Sequence, residues 1–164
     1  MRLFIAICLS DEMRKAIVEV QESMRRQGVQ GNYTLAENLH LTLAFIGEYS
    51  DPCYVLEVMD SVPFIPLELK LNGIGAYGDL WWIGLESSRG LENYVRQLRH
   101  ALAQAGIPFD RKRFTPHITM LRRASVNLSR TRSMPVKGIR MLSDHASLMR
   151  SDRGKTGMVY TEIL

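Results

Sequence analysis

The sequence predicts an α+β fold of two pseudo-symmetric lobes, each with an antiparallel sheet flanked by helices, and a cleft between them. Stretches with the apolar alternation of strands and stretches with the apolar period of helices follow each other in the same order twice. A shift of 77 positions also aligns His40-Leu-Thr-Leu with His117-Ile-Thr-Met, as well as the first strand and long helix of each half. These observations indicate an internal duplication.

The first half begins with an apolar strand at 2–9 and continues with an amphipathic helix at 11–27. Ser10 is placed to cap this helix, and Gly28 is placed to end it. Pro52 suits the first turn of a second helix. The remaining predicted elements of this half are a strand at 39–47, a helix at 51–61 and a strand at 64–72.

The second half repeats the order with a strand at 80–86 and a long helix up to Ala105. Ser87 or Ser88 can cap this helix, and Gly106 and Pro108 end it. Further strands are predicted at 115–121, at 136–149 with an interruption, and at 158–163. The polar, arginine-rich residues 123–134 are expected to form a surface loop.

The chain of 164 residues fits one domain, with lobes at roughly 1–78 and 79–164 whose terminal strands could be exchanged. A composition of 46% hydrophobic and 23% charged residues excludes a disordered or membrane-spanning protein. The apolar run at 3–9 is too short for a signal peptide and predicts a buried strand. We therefore expect a cytoplasmic monomer that does not associate with membranes.

Charge is distributed unevenly along the chain. Residues 1–109 carry 9 basic and 13 acidic side chains, whereas residues 110–164 carry 12 and 4. Arginine and lysine gain affinity for polyanions by displacing counterions from phosphates, so the basic part favours a nucleic-acid partner. A solvated basic surface without a partner is the alternative at this point.

The remaining ligand-type signals are weak. Cys8 and Cys53 form no metal-ligand spacing, which indicates free thiols and no metal. The Gly73–Gly78 segment fits a dinucleotide-binding spacing but precedes a strand rather than a helix, so a hairpin turn is the better interpretation. Gly154-Lys-Thr156 lacks the first glycine of a phosphate-binding loop and is interpreted as a turn.

The two His-x-Thr sequences carry the chemistry. Residues i and i+2 of a strand lie on the same face, so His40 and Thr42 face one side, and His117 and Thr119 do the same on their own strand. Two imidazoles and two hydroxyls would then line one cleft. In-line cleavage of a cyclic phosphodiester needs a base for water and an acid for the leaving oxygen, and two histidines can supply both near neutral pH. The threonine hydroxyls can donate hydrogen bonds to phosphate oxygens.

Asn38-Leu-His-Leu-Thr-Leu-Ala-Phe-Ile-Gly47 and Phe114-Thr-Pro-His-Ile-Thr-Met-Leu-Arg122 resemble the paired signatures of the 2H phosphoesterase superfamily. Within it, the sequence resembles the RNA 2′,3′-cyclic phosphodiesterases, also called 2′-5′ RNA ligases, over nearly the whole chain. The resemblance implies a bilobal fold, no cofactor, and hydrolysis of terminal 2′,3′-cyclic phosphates of RNA to 2′-phosphates. It also implies that tRNA halves are candidate partners for 2′-5′ joining.

Matching positions imply roles for individual residues. The resemblance makes His40 the acid that protonates the leaving 3′ oxygen and His117 the base that activates water, although the two-fold symmetry lets either serve either side. It places Arg122 on the substrate phosphate or terminal nucleotide, where a planar guanidinium is well suited. Phe45 occupies the corresponding position in the first motif, where a base could stack on its ring.

Two other functions stay open on the sequence alone. One is a non-catalytic module that binds RNA ends and uses the motifs as a phosphate pocket. The other keeps the chemistry but takes a small cyclic nucleotide or a 2′-5′ oligoadenylate. Outside the motifs, His100 and His145 are interpreted as surface or structural residues. One of Trp81 and Trp82 is expected to face the core.

Overall fold

Two antiparallel sheets and three α-helices make up the fold, which confirms the predicted α+β class. The computed structural model describes residues 1–164. The strands are β1 (Arg2–Cys8), β2 (Asn32–Tyr33), β3 (His40–Glu48), β4 (Leu67–Tyr77), β5 (Leu80–Leu85), β6 (His117–Arg122), β7 (Arg140–Ser143), β8 (Ser147–Gly154) and β9 (Gly157–Ile163). The helices are α1 (Asp11–Arg26), α2 (Pro52–Asp60) and α3 (Arg89–Gln104), and two short 3-10 helices lie at Ala36–Asn38 and Leu128–Arg130.

The first sheet has the strand order β3-β1-β8-β9, and the second has the order β2-β6-β5-β4-β7. All seven strand pairings are antiparallel. The sheets do not coincide with the two halves of the chain, because β8 and β9 complete the first sheet while β2 and β4 belong to the second. β3 is an edge strand of its sheet, and β6 lies next to the two-residue edge strand β2.

The long helices begin at the predicted side-chain caps. Ser10 Oγ accepts a hydrogen bond from the Met13 N–H at 3.2 Å, and Ser88 Oγ accepts one from the Leu91 N–H at 3.2 Å. Each cap binds one of the N–H groups that a first helical turn leaves unpaired. The starts of the repeated elements agree with the predicted shift of 77 positions. Strands β3 and β6 begin 77 residues apart, and the starts of helices α1 and α3 differ from that spacing by one residue.

Thirty-six buried residues form one hydrophobic cluster that includes residues of both sheets and all three helices. The alternation in β3 and β6 places Leu41, Leu43, Ile118 and Met120 in this cluster, all of them fully buried. Since strand side chains alternate between faces, the residues between these four face away from the core. None of the helices combines the length and the apolar character that crossing a bilayer requires.

Several boundaries differ from the prediction. The segment Gly73–Gly78, interpreted from the sequence as a hairpin turn, is mostly strand. Gly73–Tyr77 continues β4, and only Gly78 and Asp79 form the turn of the hairpin. The predicted strand at 136–149 is two strands, β7 and β8, in different sheets. The Gly154–Thr156 turn is confirmed as the connection between β8 and β9. Strand β2 was not predicted because two residues show no periodicity.

Candidate active site

A cleft of about 370 Å³ lies between the exposed faces of β3 and β6. All six residues that the sequence singled out line it: His40, Thr42, Phe45, His117, Thr119 and Arg122. The fold therefore brings the two His-x-Thr pairs together from two different sheets. The cleft is also lined by residues that the sequence did not single out, namely Arg2, Phe4, Thr34, Ser151, Arg153, Met158 and Tyr160.

Each histidine is oriented by a backbone carbonyl two residues before it. His40 Nδ1 lies 2.6 Å from the Asn38 carbonyl oxygen, and His117 Nδ1 lies 2.6 Å from the Thr115 carbonyl oxygen. A carbonyl only accepts, so Nδ1 carries the proton in both rings. When either imidazole is neutral, its Nε2 lone pair is free to take a proton; when the ring is protonated, Nε2–H can donate one.

The surroundings of His40 favour its neutral form. Its ring contacts Phe4 with centroids 4.8 Å apart and meets the edge of Tyr160 at 5.3 Å. Burial among these rings lowers the pKa of His40 below its ordinary value, the Asn38 carbonyl partly opposes this, and the charge of Arg122 lowers the pKa further. His40 Nε2 also lies 2.8 Å from Thr42 Oγ1, which donates to it when the ring is neutral.

His117 has different neighbours. Tyr77 meets its ring edge-on with centroids 5.5 Å apart, and the Trp82 centroid lies 6.1 Å away. Its Nε2 makes no hydrogen bond within the protein and faces the cleft beside Thr119. Trp81 is fully buried, which confirms that one of the two tryptophans faces the core, and Trp82 is half-buried beside His117.

The cleft is electropositive. Three arginines line it, Arg2 from β1, Arg122 from the end of β6 and Arg153 from β8, and no aspartate or glutamate does. None of the three takes part in a salt bridge. Unpaired guanidiniums beside two histidines and two hydroxyls are suited to a phosphate anion.

Phe45 lies at the side of the cleft that adjoins a second cavity. The guanidinium of Arg2 covers one face of its ring at 5.0 Å. Phe45 lines both cavities together with Thr42, His117, Thr119 and Arg122, while Tyr77, Lys112, Arg113 and Phe114 line only the second. Base stacking on Phe45 remains a prediction, and the covered face leaves the other face for it.

Two polar side chains brace the motif strands across the sheet boundary. From α1, Gln21 Nε2 donates to the Met120 carbonyl oxygen of β6 at 2.9 Å and to the Thr34 carbonyl oxygen at 3.0 Å. From α3, the Arg99 guanidinium donates to the Leu43 carbonyl oxygen of β3 through Nε at 3.2 Å and Nη2 at 3.1 Å. α1 therefore holds the His-x-Thr strand β6, and α3 holds the His-x-Thr strand β3.

The other histidines and the cysteines lie elsewhere. His100 is exposed on α3, and His145 is exposed between β7 and β8, where its Nδ1 lies 2.7 Å from the Asp144 carboxylate. Neither lines the cleft, in agreement with the surface interpretation. Cys8 and Cys53 are free thiols. The structure brings together no group of three or more His, Cys, Asp or Glu side chains that could hold a metal ion.

The sequence is similar to proteins of known activity. A family model described as LigT-like phosphoesterase matches residues 7–80 and 83–160. An RNA 2′,3′-cyclic phosphodiesterase of Escherichia coli is 35% identical over 129 residues, covering 76% of this chain and 73% of the relative. One from Thermotoga maritima is 31% identical over 130 residues, covering 73% of this chain and 68% of the relative.

Solved structures agree with this similarity. The crystal structure of Escherichia coli LigT in apo form superposes with a TM-score of 0.85 at 29% identity, covering 99% of this chain and 94% of that one. The complex of that protein with 3′-AMP gives a TM-score of 0.84, also at 29% identity and covering 99% of this chain and 95% of that one. The fold and its two-sheet cleft are therefore those of a known family.

Proposed function

The chain belongs to the LigT-like phosphoesterase family, and from that premise we propose that it hydrolyses the terminal 2′,3′-cyclic phosphate of RNA to a 2′-phosphate. The observation that carries the proposal is the cleft in which two carbonyl-oriented histidines, two threonines and unpaired arginines meet. This set supplies an acid, a base and anion-binding groups without a carboxylate.

The reaction proceeds by in-line displacement at phosphorus. His117 Nε2 accepts a proton from water as the water oxygen bonds to phosphorus. The bond from phosphorus to the 3′ oxygen breaks, and His40 Nε2–H gives its proton to that oxygen. The phosphate stays on the 2′ oxygen, His117 ends protonated and His40 neutral, and exchange with solvent restores both.

The acid role requires His40 to be protonated, although the free protein favours its neutral form. A phosphate anion in the cleft acts in the opposite direction, because a nearby negative charge stabilises an imidazolium. Thr42 and Thr119 donate to the non-bridging oxygens, and Arg122 binds the phosphate or the terminal nucleotide. Substrate binding therefore prepares the acid.

The same pair can also join two RNA ends. Attack on phosphorus by the 5′-hydroxyl group of a second strand, in place of water, gives its proton to His117 while the bond to the 3′ oxygen breaks and that oxygen takes a proton from His40. The phosphate then bridges the 2′ and 5′ oxygens, and joining of tRNA halves through this 2′-5′ linkage is the form of the reaction that we propose. We further propose that the protein acts as a cytoplasmic monomer. Sedimentation at micromolar concentration tests the monomer, and incubation with paired tRNA halves tests the joining.

The deciding experiment uses a short RNA that ends in a 2′,3′-cyclic phosphate, incubated with the protein in EDTA. Chromatography that separates 2′- from 3′-phosphate products should show the 2′-phosphate alone, which establishes reaction, regiochemistry and independence of divalent metal together. Tight binding without any product would instead identify a non-catalytic module for RNA ends.

A further inference from the structure

A third cavity, different from the one beside Phe45, also adjoins the cleft. It measures about 700 Å³ and lies between the C-terminal end of α1, strand β2 and the β8–β9 hairpin. Its lining includes Arg25, Asn32, Tyr33, Arg123, Arg153 and Thr156, and we call this cavity the arginine groove. It is continuous with the cleft, because Arg122, Arg153 and Tyr160 line both.

The arginine groove has strong positive charge and no compensating negative charge. Arg25, Arg122, Arg123 and Arg153 line it, and none of its lining residues is an aspartate or glutamate. None of these four arginines takes part in a salt bridge. Four uncompensated guanidiniums along one groove form a track for a polyanion rather than a pocket for a single phosphate.

The Arg25 side chain is held by an aromatic neighbour, and Arg123 has an unusual backbone conformation. The Arg25 guanidinium stacks on the Tyr33 ring at 4.1 Å, and Tyr33 is fixed by its hydroxyl, which donates to the Val29 carbonyl oxygen at 2.7 Å. Arg123 has a positive φ of 56°, a conformation that non-glycine residues rarely adopt. Strained backbone of this kind is concentrated at ligand sites.

The opposite side of the cleft has a different character. There the aromatic rings of Phe45, Tyr77 and Phe114 line the adjoining cavity, and the carboxylate of Asp110 partly compensates its basic side chains. Aromatic rings suit a terminal base, whereas uncompensated arginines suit successive phosphates. The two ends of the cleft are thus built for different parts of one RNA strand.

We propose that the arginine groove binds the phosphates of the nucleotides that precede the terminal cyclic phosphate. This inference rests on the proposed function and makes the substrate an RNA strand rather than a mononucleotide. The strand enters along Arg123 and Arg25, passes Arg153 and Arg122, and places its terminal phosphate between the two histidines.

The test compares two substrates with the same terminal base: adenosine 2′,3′-cyclic phosphate and hexa-adenylate that ends in a 2′,3′-cyclic phosphate. Wild-type protein should show kcat/KM about tenfold or more higher for the hexamer, and the advantage should shrink as salt rises. The variant Arg25→Gln with Arg123→Asn should lose most of that ratio; asparagine is chosen because it tolerates the positive φ.

The matched control is Arg26→Gln with Arg96→Gln, which removes the same charge from α1 and α3 outside the groove. Binding of a fluorescent hexamer with a 3′-phosphate end, followed by anisotropy, provides a readout independent of turnover. The groove variant should bind about tenfold more weakly than wild type, and the control should bind as wild type does.

The outcomes separate the two proposals. Absence of hydrolysis with both substrates would overturn the proposed function, while the anisotropy comparison would still decide whether the groove binds RNA. Equal hexamer binding and an equal hexamer-to-mononucleotide ratio in the groove variant and the control would overturn the arginine groove and leave the hydrolysis standing.

Discussion

Nε2 of His40 lies 2.8 Å from Oγ1 of Thr42, a contact that His117 and Thr119 do not make. Neutral His40 accepts this bond, because its Nδ1 already donates to the Asn38 carbonyl oxygen. The two copies of the motif therefore differ in the hydrogen bonds of their histidines. One is hydrogen-bonded at both nitrogens, and the other has Nε2 free for a water or substrate proton.

Thr42→Val should raise the pKa of His40 in the free protein, because it removes a hydrogen bond that only the neutral ring accepts from the hydroxyl. The measurement is an NMR titration of the His40 ring. Thr119→Val, a matched change on the other strand, should leave the His40 titration where it is in wild type. An unchanged His40 titration in Thr42→Val would show that the hydroxyl does not hold the ring neutral.

His40→Ala and His117→Ala should each lower kcat by about 10²- to 10⁴-fold, the usual contribution of a general acid or base. A substrate with sulfur at the bridging 3′ position distinguishes their roles, because a thiolate leaves without a proton. This substrate should restore much of the rate of His40→Ala and little of that of His117→Ala. Rescue of His117→Ala instead would exchange the acid and base.

The free energy of unfolding should fall as pH drops below about 6.5, which is the ordinary pKa of a histidine side chain. The folded protein lowers the pKa of His40, chiefly through burial, so the unfolded chain binds this proton more readily than the folded chain does. The stabilisation is complete above the unfolded pKa and is lost as pH falls through the folded one. Urea unfolding at a series of pH values measures it.

The variant His40→Asn should reduce this dependence on pH, while His100→Asn, on the exposed face of α3, should keep it. Identical pH profiles for wild type and His40→Asn would assign the acid sensitivity to other groups.

Gln21→Met and Arg99→Met should each destabilise the fold by about 1–3 kcal/mol, because each removes a side-chain donor to backbone carbonyl oxygens. Gln21→Met removes the donor to the Thr34 carbonyl oxygen and one of two donors to that of Met120, and Arg99→Met removes the guanidinium from the Leu43 carbonyl oxygen. The bonds hold β6 and β3, which carry the two histidines from opposite sheets. We therefore expect kcat to fall more than KM rises, since misplaced histidines slow proton transfer more than they weaken phosphate binding. Steady-state kinetics with urea unfolding checks both parts, and a kcat equal to that of wild type would make the braces structural only.

The local structure was largely predictable because its signals are local. The helix predicted at 11–27 is α1 at Asp11–Arg26, and the cap residues Ser10 and Ser88 accept the expected bonds. The His-x-Thr spacing on alternating apolar strands predicted which side chains share a face. The cleft follows from these periodicities once the repeat is recognised.

Pairing between distant parts of the chain was not predictable in the same way. Arg153 and Tyr160 reach the cleft because β8 pairs with β1 and β9 pairs with β8, and no spacing in the sequence records those partners. Arg25 enters the arginine groove from the end of a helix whose apolar stripe revealed only its buried face. The uneven charge of the chain indicated a polyanionic partner. The path that such a partner could follow depends on how the folded chain brings the arginines together, which the sequence does not show.

Gly75→Ala should disturb the active site, because Gly75 on β4 lies against Trp82 of the adjacent strand β5. A Cβ at Gly75 would overlap the ring of Trp82, which packs with Tyr77 at 5.3 Å between centroids and lies beside His117. The tryptophan has to move, which costs about 1–3 kcal/mol as in other overpacked sites, and kcat should fall with the displaced histidine.

The matched control is Gly73→Ala, two residues earlier on β4, where a Cβ would meet nothing within 4 Å. Thermal unfolding and steady-state kinetics compare the two variants. Equal loss in both would mean that β4 tolerates no side chain at either glycine. Loss confined to Gly75→Ala would instead show that the glycine-rich segment makes room for the aromatic wall of His117.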